Sequence, residues 1–142
     1  MSYDYPDVYM QAEKFELSIV GELDNPFAHY NFDMLVVWQH EDGRLFYATD
    51  SGCSCPSPFE DYHSIDSLTE ITDESWEAFE AAVKEHCVWK RELEYYADER
   101  KWASFDADKT QLLAKVAKLL RRRPVNDDPP SPLQGSRQPL EL

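Results

Sequence analysis

The residue pattern predicts an α+β domain, an antiparallel sheet of three or four strands followed by two or three helices, on three observations. Glycine and proline punctuate the front of the chain and are then absent between Pro58 and Pro124, which separates a turn-rich part from a stretch free to be helical. Apolar and polar residues alternate in the front, whereas behind it apolar residues recur three and four apart. The 142 residues, 42% hydrophobic and 13% aromatic, suffice for one core, so residues 1–123 are expected to form a single acidic domain.

The first strand is placed from Phe15 to Val20, where Phe15, Leu17 and Ile19 alternate with Glu16 and Ser18. From Phe32 to Trp38, Phe32, Met34, Val36 and Trp38 occupy one face while Leu35 and Val37 fill the other, so this strand is predicted to be central and covered on both sides. Asp42-Gly43 supplies the positive φ of a hairpin turn, and Arg44 to Thr49 returns as a third strand. After a loop from Asp50 to about His63, the segment Ser64 to Ile71 stands between a short strand and an irregular turn and is assigned to a strand.

Thr72 or Asp73 then caps a helix whose core face is Trp76, Phe79, Val83 and Cys87, with carboxylates Asp73, Glu74 and Glu77 at its positive pole. The pattern leaves open whether Lys90 to Trp102 continues this helix or breaks it. A further helix is placed from Asp106 or Asp108, with Leu112, Leu113, Val116, Leu119 and Leu120 as its apolar stripe and Lys109, Lys115 and Lys118 outside the stripe. Arg121, Arg122 and Arg123 suit its negative pole, and Pro124 closes it. Residues 124–142 hold five prolines and little that is large and apolar, so a disordered Pro-rich tail is predicted.

Charge narrows the partners. The chain has 28 acidic and 14 basic residues, a net charge of −14, which opposes direct binding to nucleic acid or anionic lipid and favours a basic or uncharged protein partner. No apolar run approaches the roughly 18 residues of a membrane span, and the N-terminus lacks the basic region of a secretory signal. Cys53, Cys55 and Cys87 are odd in number, and Cys-Ser-Cys is too tight for an ordinary disulfide, which suits a reducing cytoplasm. The charge is also polarised: residues 1–83 carry 18 acids against Lys14 and Arg44 alone, while Lys109 to Arg123 holds six bases and no acid. Either the acidic body imitates nucleic acid or grips a basic partner, or the acids form a solvated face and the cationic helix folds back to neutralise the sheet. The second reading is the commoner outcome for charge runs.

The segment DSGCSCPSPFEDY, Asp50 to Tyr62, joins two thiols and two prolines to the aromatic anchors Phe59 and Tyr62. Cys53 and Cys55, joined by His63 and by Cys87 or His86, would make a four-ligand zinc site, although the pair lacks the C-x2-C spacing and Cys87 also fits an apolar stripe. A nucleophilic thiol with His63 as base or Asp50 as orienting acid is disfavoured by the acidic surroundings, which raise a thiol pKa. A rigid Ω-like loop with buried cysteines and Phe59 pinned into the core is the favoured reading. His29 and His40 flank the central strand as polar strand-end residues. No P-loop, dinucleotide fingerprint, HExxH or GxSxG is present, so no catalytic residue is assigned.

The stretch from Asn31 to Tyr62, with its SGCSCPSPFEDY loop, resembles a family of short uncharacterised proteins from actinobacterial phages and prophages. Pro6 to Tyr9 and Glu13 to Phe15 are similar too, and the likeness covers roughly residues 5 to 72. The resemblance implies no activity, substrate or catalytic residue. It implies a small phage accessory protein of the host cytoplasm, a class in which acidic host-factor binders and nucleic-acid mimics occur. The expectation is therefore a non-enzymatic binding protein, with a small zinc domain and a small enzyme of unknown type as alternatives.

Overall fold

The computed structural model describes residues 6–27, 31–53, 57–93 and 96–122. Four antiparallel strands, β1 (Leu17–Leu23), β2 (Asn31–His40), β3 (Leu45–Cys53) and β4 (Thr69–Ile71), lie side by side in chain order. Three helices follow: α1 (Trp76–Glu85), the single turn α2 (Val88–Arg91) and α3 (Glu99–Arg122). The α+β architecture with an antiparallel sheet leading into helices is thus observed. The tail from Pro124 lies outside the described residues, as does His29.

β2 is interior to the sheet, and residues 34–38 are all buried. Because side chains alternate across a strand, Leu35 and Val37 point into one core while Met34, Val36 and Trp38 point into another. The first core is roofed by helices, through Phe79 and Val83 of α1 and Trp102, Phe105, Leu112 and Val116 of α3. Among the described residues, no α-helix packs on the second. It is closed by the chain ahead of β1, through Val8, and by the β3–β4 connection, through Phe59 and Leu68. Trp38 fastens this cover: its Nε1 donates to Val8 O at 2.9 Å and its ring meets Phe59 edge-on at 5.3 Å. Phe59 is fully buried in the left-handed backbone region (φ 62°), and Asp50 Oδ2 accepts from its N–H at 2.7 Å. A carboxylate at the end of the loop thereby holds in place a backbone conformation that costs an L-residue energy.

Several elements differ from the sequence expectation for local reasons. β1 begins at Leu17 rather than Phe15, because Ala12–Phe15 forms a 3-10 turn that ends on Glu16 in the left-handed region (φ 60°). A bulge between Ile19 and Gly21 follows, and Gly21 sits where α3 crosses: a Cβ there would lie 2.8 Å from Leu112 Cδ1. The N-cap of α1 is Ser75 rather than the expected Thr72 or Asp73; Thr72 is instead tied to it in a reciprocal pair, Ser75 N donating to Thr72 Oγ1 and Thr72 N to Ser75 Oγ. Cys87 lies just beyond α1 with φ 62°, and this residue turns the chain from α1 into α2.

α3 starts at Glu99, two turns before the expected Asp106 or Asp108. Asp98 Oδ1 accepts from the backbone N–H groups of Arg100 and Lys101, and Trp102 and Phe105 extend the buried stripe toward the N-terminus. The helix also corrects the expected position of Lys109, which is buried within the stripe. Its Nζ donates to Lys84 O at 2.9 Å, satisfying a carbonyl in the last turn of α1.

Candidate functional site

Asp33 shares a strand face with Leu35 and Val37, so its carboxylate stands on the helix-covered side of the sheet at the margin of the core. The turn from α1 into α2 brings His86 and Cys87 against it, both buried. Cys87 Sγ donates to Asp33 Oδ2 at 3.4 Å, and His86 Nε2 lies 2.8 Å from Asp33 O and 4.0 Å from Oδ1. One turn on, the buried Lys90 places Nζ 4.0 Å from Asp33 Oδ2 and over the rings of Trp89 and Tyr96. The thiol of Cys87 is pushed up to about 12, first by burial and then by the adjacent Asp33 charge. It is therefore a protonated hydrogen-bond donor at neutral pH, which removes the thiolate a nucleophilic role requires.

Of the residues proposed from sequence as zinc ligands, the described His63 and Cys87 lie on opposite sides of the sheet. Cys87 and the alternative His86 come together in this cluster. His63 is exposed on the opposite side of the sheet, with Nδ1 3.0 Å from Pro6 O, next to Tyr62, which packs on the second core. Cys53 is the last residue of β3, paired in register with Asn31, and Cys55 lies outside the described residues. Asp33 and Lys90 were missed by the sequence reading. The available signal was a carboxylate in phase with the apolar positions Leu35 and Val37 of a doubly covered strand.

The other chemically distinct surface is acidic. An open cleft of about 400 Å³ lies where the 3-10 turn, the start of β1 and the end of β2 meet, lined by Glu13, Glu16, Ser18, Gln39, His40 and Glu41. His40 closes β2, with Nε2 3.3 Å from Glu16 Oε1 while Nδ1 accepts from Asp42 N. Further along β1, the Tyr9 hydroxyl donates to Glu22 at 2.7 Å and its pKa is pushed up to about 12, by burial first, then by that bond and the charges of Glu22 and Asp24.

Among the described residues, the basic stretch of α3 forms no ion pair with these acids. Lys109 and Lys115 donate to the backbone carbonyls of Lys84 and Val20, the latter a group of the edge strand β1. Among the described residues, Lys115, Lys118, Arg121 and Arg122 form no ion pair. The carboxylates of the front half that are paired reach His40, Arg44, Lys84, His86 and Lys90 instead. Among the described residues, no helix is long and apolar enough to cross a membrane.

A family model described as a domain of unknown function (DUF7574) matches residues 6–104, which takes in the whole sheet, α1, α2 and the first turns of α3. No curated protein and no solved structure matches the chain.

Proposed function

The chain belongs to the DUF7574 family of unknown function, and from that premise we propose that it is a non-enzymatic accessory protein that binds a basic protein partner through its acidic half. The observation that carries this reading is the charge polarity surviving in the fold: α3 lies on the sheet, yet the ammonium groups of Lys109 and Lys115 go to carbonyls and, among the described residues, Lys115, Lys118, Arg121 and Arg122 form no ion pair with the acidic half. Glu13, Glu16 and Glu41 around one cleft offer a basic side chain several carboxylates at once. The long-range field of residues 1–83 raises the rate of encounter with a cationic surface. Proteins that bind nucleic acid present such surfaces, so imitation of a phosphate backbone is one form this binding takes. The likeness to actinobacterial phage and prophage proteins supports a role in a bacterial host's cytoplasm, on a host or phage partner.

Pull-down from host lysate at low and high salt tests the proposal, with wild type beside the triple variant Glu13→Lys, Glu16→Lys, Glu41→Lys. Wild type is expected to retain a partner at low salt and release it at high salt, because exposed charges are screened beyond a Debye length of about 10 Å at 0.1 M. The variant is expected to lose the partner at both. A partner held equally by the two proteins, or no partner at either salt, overturns the reading.

A further inference from the structure

We infer that Asp33, His86 and Cys87 form a binding site for a zinc-class divalent cation. This site is independent of the acidic binding surface and differs from the ligand set that the sequence suggested. One ring nitrogen of His86, Cys87 Sγ and one Asp33 carboxylate oxygen all lie within 4.8 Å of one another. One ligand–ligand distance already suits a metal. Zinc bound at about 2.3 Å to sulfur and about 2.0 Å to oxygen holds two tetrahedral ligands about 3.5 Å apart, and Cys87 Sγ stands 3.4 Å from Asp33 Oδ2. His86 Nε2 stands 4.0 Å from the other carboxylate oxygen, Oδ1, so the ring has to move toward the carboxylate to complete the set.

The donor set selects the class of ion. One thiolate, one imidazole and one carboxylate form a borderline-soft set that suits zinc and excludes magnesium or calcium, which take oxygen ligands. Two of the ligands are adjacent in sequence, and the left-handed backbone at Cys87 turns both side chains toward β2. The third is anchored within the β2–β3 ladder, opposite Ser51. Asp33 is only half-buried and gives the ion a way in from solvent.

Binding is an exchange that balances. The thiol proton leaves to solvent as the Sγ–metal bond forms; His86 Nε2 gives up its hydrogen bond to Asp33 O, and its proton leaves to solvent while Nδ1 takes one up, so the neutral ring presents a lone pair to the metal. The two negative ligands then offset the dication, so Lys90 remains beside a site of no net charge rather than beside an added positive one.

Cobalt(II) titration of the chelator-treated full chain tests the site, because a cobalt–thiolate bond gives a charge-transfer absorption that no carboxylate-only site shows. Wild type is expected to develop that band and saturate at one equivalent. Cys87→Ser is expected to lack it. Asp33→Asn, which conserves shape and is checked for native far-UV circular dichroism, is expected to bind at least tenfold more weakly. No band in wild type, an undiminished band in Cys87→Ser, or wild-type affinity in folded Asp33→Asn overturns the assignment.

Discussion

Val116→Asp is expected to destabilise the domain severely, with a loss of at least about 4 kcal/mol, a large share of the roughly 5–15 kcal/mol that stabilises a typical domain of this size. Val116 is fully buried and belongs to the same core as Leu23, Leu35 and Val37, so α3 is one wall of that core and not an appendage. An aspartate there has either to carry an unsolvated charge or to stay protonated without partners, and both are costly. Ala114→Asp provides the control, since Ala114 is exposed on the same helix and tolerates the same chemistry. Thermal melts of the two variants distinguish the cases. A Val116→Asp protein melting with wild type would place α3 outside the core.

Trp38→Ala is the second large effect, about 3–5 kcal/mol by the usual cost of truncating a buried aromatic. The substitution removes the largest fully buried side chain of the second core, together with the donor to Val8 O and the edge contact with Phe59. Urea melts should show the loss, and limited proteolysis should show cleavage concentrated in residues 6–16 and 57–68, the two segments that Trp38 ties down. Trp89, 62% exposed, is the internal contrast, and Trp89→Ala should leave the melt unchanged. A Trp38→Ala protein that loses only about 1 kcal/mol would mean this face is loosely covered.

The doubly covered β2 was legible because both of its side-chain registers are apolar, a pattern only a strand with two cores needs. What covers the second core was not legible. Val8 and Phe59 come from a turn and a loop with no periodicity, and their docking depends on long-range hydrogen bonds, Val8 with Trp38 and Tyr62 and Phe59 with Asp50, that no local pattern announces. The start of α3 was hidden for a different reason. Glu99, Arg100, Lys101, Asp106 and Asp108 surround Trp102 and Phe105 with charge, and Lys109 reads as a solvent residue although a carbonyl of α1 satisfies its ammonium.

The cluster at Asp33 joins residues 53 and 54 positions apart, so no local spacing contains it. Sequence reasoning did single out Cys87, as an end of the apolar stripe and as a ligand. In the fold it is buried at the end of that stripe and bonded to a carboxylate that no motif pointed to. The commoner reading of the charge pattern, a basic helix folding back to neutralise the sheet, was half legible: apolar spacing predicts the docking of α3, but where its lysines end up depends on which acceptors lie within reach.

Thermal stability as a function of sodium chloride concentration at neutral pH tests this charge arrangement most directly. With a net charge of −14 and no ion pair among the described residues from Lys115, Lys118, Arg121 or Arg122, screening should relieve self-repulsion, so Tm should rise as salt increases. A Tm that falls with salt would mean that attraction between the basic helix and the acidic half holds the fold together, and would contradict an acidic surface left open for a partner.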